Sequence, residues 1–306
     1  MKPRRFDTAR VFSVLIAVVT TLLNSAPSVL ASEDPKVPSG RDPSGIPVAI
    51  IGPGIDYLAP EVSSRLARDG EGDIIGWDFI DGDLRPYEAP ETCTPRSGCD
   101  AATASGSRAS QLFLAEADRS RLIVLRTKDG DRGQFASAVA FASKSPARII
   151  PTFAADATGA GPDWDMLIQA ARRFSNLLFI VPAYGPAITI PGFESMALGN
   201  LLVVAPAGEA GDLLAGRADA PPPSADVAAT VDATDGRLAL RERAVAERAA
   251  ARVAAMAARL YAKDPVMNVH ELKARLLQLA KPLAAPHDRF VRSGWFASPR
   301  RHDWAD

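Results

Sequence analysis

Val48 to Val62 reads VAIIGPGIDYLAPEV, and this stretch decides how the chain is understood. The apolar residues Val48 to Ile51 have the character of a buried strand. Gly52, Pro53 and Gly54 break it in a sharp turn, and DYLAPEV approaches a helix. A strand ending in a tight, glycine-rich turn is where open α/β sheets place their chemistry. Yet no side chain in this turn carries a functional group.

Similar apolar runs recur downstream: LIVLR (Leu122–Arg126), RIIPTF (Arg148–Phe153), LLFIV (Leu177–Val181) and LLVVA (Leu201–Ala205). Each is short, rich in Ile, Leu and Val, and apolar on both faces, the pattern of strands buried in a parallel sheet. Helical patterns lie between them. GQFASAVAFASK puts Phe135, Val139 and Ala142 on one face, and DWDMLIQAARRF spaces Trp164, Leu167, Ile168, Ala171 and Phe174 by three and four. Alternation of strand and helix predicts an α/β fold in three layers, an open and mostly parallel sheet with helices on both faces. A long alanine-rich helix follows over Arg243–Lys263, thin enough to pack closely on the sheet. Asn268 with Glu271 forms a capping-box pattern for a last helix, VHELKARLLQLA.

The ends differ from this core. Lys2, Arg4, Arg5 and Arg10 precede the apolar run Val11–Leu23, and Val29 and Ala31 stand where a leader is cut after Ala31. This is the layout of a secretory signal peptide over residues 1–31. The apolar run falls short of the roughly 20 residues that span a bilayer. A polar linker with Pro and Gly covers 32–45, the domain 46–285, and a tail rich in Arg and aromatics 286–306. A net charge of −1 provides no basic field for nucleic acid. Export to the periplasm or beyond places Cys93 and Cys99, in ETCTPRSGCD, in an oxidising space where a small disulfide loop is expected. No metal-ligand motif and no phosphate-binding glycine loop is present, so no cofactor is expected.

The chain resembles the subtilisin-like serine proteases. VAIIGPGID matches the family's VAVIDTGID, with Gly52 where the triad aspartate belongs. GWDFIDGDLRPYE, Gly76 to Glu88, is similar to the string that precedes the family's GHGTHVAG motif; here ASGSRASQL follows, with Ser105 at the histidine. LLFIVPAYG resembles the strand ending in AAGN and places Gly185 at the oxyanion asparagine. SADVAATV resembles SVDVAAPG, and RVAA (Arg252–Ala255) aligns VAERAAARVAA with GTSMAAPRVAA, placing Glu247 at the nucleophilic serine. The resemblance spans residues 46–282 and implies the family's fold with all three triad positions substituted.

A hydroxyl nucleophile, an imidazole base and an orienting carboxylate work as a unit. Their joint replacement implies a catalytically inactive protein of the cell envelope. Its expected role is binding an unidentified peptide or protein, an active protease among the candidates, with no membrane span once the leader is removed. Two alternatives stay open: an active serine-type endopeptidase with a divergent site, and a structural envelope protein. A further option is carboxylate chemistry by Asp56, Asp78, Asp81 and Asp83; their ordinary reading is turn capping. One structural expectation completes the reading. Glu247 should open the central helix and face Arg108 or Arg248 across the old active site, plugging the volume left by the histidine.

Overall fold

The computed structural model describes residues 34–89, 105–158, 161–184, 197–214, 225–231, 242–285 and 290–298. The expected leader peptide and the segments holding Cys93, Cys99 and Gly185 lie outside them. Eight strands form one sheet: β1 (Ile46–Gly52), β2 (Trp77–Asp78), β3 (Ser120–Arg126), β4 (Ile149–Pro151), β5 (Leu178–Pro182), β6 (Leu201–Ala207), β7 (Val227–Thr230) and β8 (Trp295–Phe296). Their order across the sheet is β2-β3-β1-β4-β5-β6-β7-β8, and every neighbouring pair is parallel.

Six helices complete the described elements: α1 (Pro60–Ser63), α2 (Ser105–Glu116), α3 (Arg132–Lys144), α4 (Trp164–Arg173), α5 (Glu242–Lys263) and α6 (Val269–Leu279). Strand pleating separates two cores. Val48 and Ile50 of β1 pack with Phe113 of α2, Ala254 of α5 and Leu272 of α6. Ala49 and Ile51 face the other way, onto Phe135 and Val139 of α3 and Leu167 of α4. The sheet therefore lies between two helical layers, and its central strands are apolar on both faces, as the sequence predicts.

The helices begin where their caps dictate. Asp131 accepts the Gln134 N–H at 2.9 Å and Asp163 accepts the Met166 N–H at 3.1 Å. Asn268 and Glu271 form the expected capping box. Helix α5 is buried along most of its circumference from Ala244 to Ala258, with Ala249, Ala250, Ala254, Ala257 and Ala258 all in the core. Small side chains let it touch the sheet on one side and α2 on the other. Arg252 on this helix forks onto Glu116 of α2, with Nη2 2.7 Å from Oε1, and also donates to the Thr230 carbonyl. The tail contributes β8, where Phe296 is fully buried.

Chain order and spatial order diverge at β1. From β1 the chain moves outward to β2, returns through α2 to β3, then crosses on the opposite face through α3 to β4. Connections that leave adjacent strands on opposite faces open a crevice at the carboxyl ends of β1, β3 and β4, the usual position for function in such sheets.

Candidate functional site

The glycines at the end of β1 are explained by their neighbours. A side chain at Gly52 would bring its Cβ 2.9 Å from the Phe153 Cβ, closer than carbon atoms approach. Phe153 follows β4 and belongs to the core shared with α5, and its Cβ and backbone occupy the face onto which residue 52 would project. Gly54 has φ +107, and a Cβ there would stand 3.0 Å from the Pro86 carbonyl oxygen. The turn is closed by contacts that exclude side chains.

Beside this turn a buried polar network joins the loops after β3 and β4 to α5. Arg243, in the first turn of α5, is its hub. Its Nε donates to Glu247 Oε1 at 2.7 Å, Nη1 and Nη2 donate to the Asp129 carboxylate, and Nη2 donates to the Phe153 carbonyl at 2.6 Å. The Glu247 side chain is wholly buried and that of Arg243 is 15% exposed. Asp129 also accepts the Ala155 N–H at 3.0 Å, and the Gly130 N–H donates to the Ala155 carbonyl at 2.9 Å. The two loops are thus bonded directly to each other, and Arg243 ties both to the helix.

Electrostatics follow from burial and charge. Desolvation works against the Arg243 cation, but Glu247 and Asp129 outweigh it and hold the proton more firmly than usual. Tyr184, at the end of β5, packs with Ala155 and Ala246, and its hydroxyl makes no hydrogen bond among the described residues. Burial pushes this phenol well above its ordinary value; Arg243 opposes the shift, while Glu247, Asp129 and Asp156 add to it. Tyr184 therefore remains a neutral donor.

The residues singled out from sequence take these places. Gly52 ends β1 and Ser105 begins α2. Glu247 lies in the second turn of α5, because the helix starts at Glu242 rather than at residue 247. Its carboxylate bonds Arg243, one turn earlier on the same helix; of the two cations expected opposite it, Arg108 is exposed on α2 and Arg248 is the next residue of α5. Gly185, Cys93 and Cys99 fall outside the described residues.

The hydroxyl of Ser107, two residues on from Ser105, is held by two partners. Ser107 Oγ accepts the Asp56 N–H at 2.7 Å and donates to Glu88 Oε2 at 3.0 Å. His270 is exposed at the start of α6; His287 and His302 lie outside the described residues. The acids of the 78–85 segment cap turns: Asp78 Oδ1 accepts from Ile80 and Asp81, and Asp83 Oδ1 accepts from Arg85. Asp78 and Asp81 both pair with Arg126, at 2.7 and 2.9 Å.

Sequence reasoning missed Asp129, Tyr184 and Arg243. One signal was available: Arg243 and Glu247 have the i,i+4 spacing of a helical ion pair. Asp129 has no comparable local signal, since it meets Arg243 from 114 residues away.

Known proteins place this architecture. No protein family model matches the chain, and no curated protein matches it. Solved structures do. A cold adapted subtilisin-like serine proteinase is similar at 14% identity over 87% of this chain and 93% of that one, with a TM-score of 0.57. A lanthipeptide protease is similar at 14% identity over 82% and 84%, with a TM-score of 0.53. The PatG macrocyclase in complex with peptide is similar at 14% identity over 84% and 90%, with a TM-score of 0.51. The fold is subtilisin-like.

Proposed function

We propose that this subtilisin-like scaffold is catalytically inactive, is exported to the cell envelope, and serves to bind a peptide or protein partner. The observation that carries the reading is the Arg243 clasp. At the strand ends where chemistry would be organised, the aligned position Glu247 is a buried carboxylate locked to a guanidinium, and that guanidinium is shared with Asp129 and the Phe153 carbonyl. A carboxylate held in an ion pair is a weak base, and it offers no hydroxyl or thiol for covalent catalysis. The contact between Gly52 and Phe153 adds support, because it leaves no room for an orienting carboxylate from β1.

Binding remains a natural use of the fold, one of whose solved examples is a macrocyclase in complex with peptide. Here the loops after β3 and β4 are bonded to each other, which favours recognition on the outer surface over insertion between them. The test has two arms. A serine-hydrolase probe and a casein assay on the mature protein should give no labelling and no cleavage above background. A pull-down from the native envelope should recover a saturable partner. Reproducible hydrolysis would make the chain an enzyme, and no saturable partner would favour a structural envelope protein.

A further inference from the structure

The helical layer on the far side of the sheet from α2 and α5 is not closed at its surface. Helices α3 and α4 stand side by side there and leave a groove of about 200 Å3 between them. Phe135, Val139 and Met166 form its floor and belong to the core beneath. Its banks are small: Ala136 is exposed, and Ala140 and Ala170 are half-buried. Phe174, half-buried just past α4, adds a second ring.

Two guanidiniums border the groove, and they differ in what they already hold. Arg132, at the start of α3, forks onto Asp163, the cap of α4, at 2.7 and 3.0 Å. Its charge is answered within the chain. Arg173, in the last turn of α4, is exposed and lies over the Phe174 ring, with Cζ 5.5 Å from the centroid. Among the described residues no carboxylate pairs with it. Contact with a ring face leaves the N–H edge of a planar guanidinium able to fork onto a carboxylate. Gln169, exposed one turn earlier on α4, lines the same groove, and its side-chain amide is uncommitted among the described residues.

These features select a ligand. Two phenyl rings and a thioether favour an aromatic group between them. An apolar cavity of roughly 150 Å3 already takes benzene, so this volume accepts a ring and the atoms next to it. One available cation beside the rings calls for one anion close to the aromatic group. In a polypeptide, a carboxylate and an aromatic side chain share one Cα only at a C-terminus. We propose that the groove between α3 and α4 receives the C-terminal aromatic residue of a peptide or protein partner. Its ring lies against Phe135, Met166 and Phe174, its α-carboxylate forks onto Arg173, and its amide bonds Gln169. The proposal rests on the peptide-binding reading above and names the end group that is recognised.

The experiment is isothermal titration of the full mature chain with acetyl-Ala-Ala-Phe as the free acid, the same peptide as its C-terminal amide, acetyl-Ala-Ala-Ala as the free acid, and 3-phenylpropanoate. The Phe acid should bind saturably, and the other three at least tenfold more weakly. Arg173→Gln removes no ion pair with a described residue, and Ala136→Leu fills the groove from an exposed bank; each should keep the parent Tm and lose at least tenfold in affinity for the Phe acid. No saturable binding of that acid, equal binding of the amide or the Ala peptide, or unchanged affinity in either folded variant would overturn the proposal. So would 3-phenylpropanoate binding as tightly as the peptide, which would assign the groove to a small aryl acid. A pull-down with Arg173→Gln separates this site from the broader reading. A partner held equally by parent and variant removes the site and leaves peptide binding standing, whereas no saturable partner for the parent removes the reading itself.

Discussion

Arg243 and Glu247 stand one turn apart on α5, with Nε 2.7 Å from Oε1, and the carboxylate side chain has no solvent exposure. Their bond is local in sequence, but its consequence is not. Through the same guanidinium the helix reaches Asp129 after β3 and the Phe153 carbonyl after β4. Removing the cation should break a buried ion pair, which costs about 3–5 kcal/mol. We expect Arg243→Ala to destabilise by that order in urea unfolding, and a double-mutant cycle with Glu247→Gln to show clear coupling. Arg108→Ala, on the exposed face of α2, should change stability by no more than about 0.5 kcal/mol and show no coupling to Glu247.

Gly52→Asp introduces the carboxylate that the sequence resemblance would place at this position, but not an environment for it. The new Cβ would meet the Phe153 Cβ at 2.9 Å. Such overpacking costs roughly 1–3 kcal/mol. The substitution should lower the urea midpoint and yield no peptidase activity. Combining it with Phe153→Gly, which removes the clashing Cβ, should recover part of the steric loss, beyond the cost measured for Phe153→Gly alone; strict additivity would show that the clash is absent.

A second buried pair sets a pH dependence. Asp226 Oδ2 lies 3.7 Å from Lys273 Nζ and accepts the Val203 N–H at 3.0 Å, while Lys273 donates to the Leu198 carbonyl at 3.0 Å. Burial raises the Asp226 carboxyl above its ordinary 3.8, and the nearby Lys273 charge offsets this only in part. Between 3.8 and that raised value the folded state binds the proton more tightly than the unfolded chain does. The contribution of this group to stability therefore falls as pH rises through that window. Burial likewise lowers Lys273 below its ordinary 10.5, so its contribution recovers as pH rises towards that value. Urea midpoints compared between the parent protein and Asp226→Asn should show this slope lost in the variant on the acid side. An identical pH profile for the two proteins would contradict the assignment.

Cys93 and Cys99 are expected to form one small loop. Mass spectrometry of non-reduced protein from the envelope should find them linked, and closure of so short a loop is worth about 2–3 kcal/mol in the chain-entropy model. Two free thiols in that material would refute the bridge. The same preparation should begin at Ser32 by N-terminal sequencing; an intact Met1 in the membrane fraction would indicate a retained anchor.

Much of the fold is local information. The strands at 46–52, 120–126 and 201–207 follow from apolar runs rich in β-branched residues and leucine, since residues buried on both faces need no alternation. Helix α6 follows from the Asn268–Glu271 box, whose partners are three residues apart. Helix α5 was legible from its alanines, and its start at Glu242 agrees with that pattern rather than with a start at Glu247. The aromatic tail reads as a surface strand packing its rings on the domain, and Trp295 and Phe296 do form one; what was not legible is its pairing with β7, because a strand of two residues is too short for any period. Nor did pattern alone reveal the meaning of the empty turn. Gly52 could be read from sequence as a missing charge, but the reason no side chain fits is Phe153, about a hundred residues later and brought alongside by β4. The partner of Glu247 followed the same logic. Helical spacing permits Arg243, but burial at the strand ends, with Asp129 and the Phe153 carbonyl completing the guanidinium's bonds, is what selects it, because those groups meet only once the chain is packed.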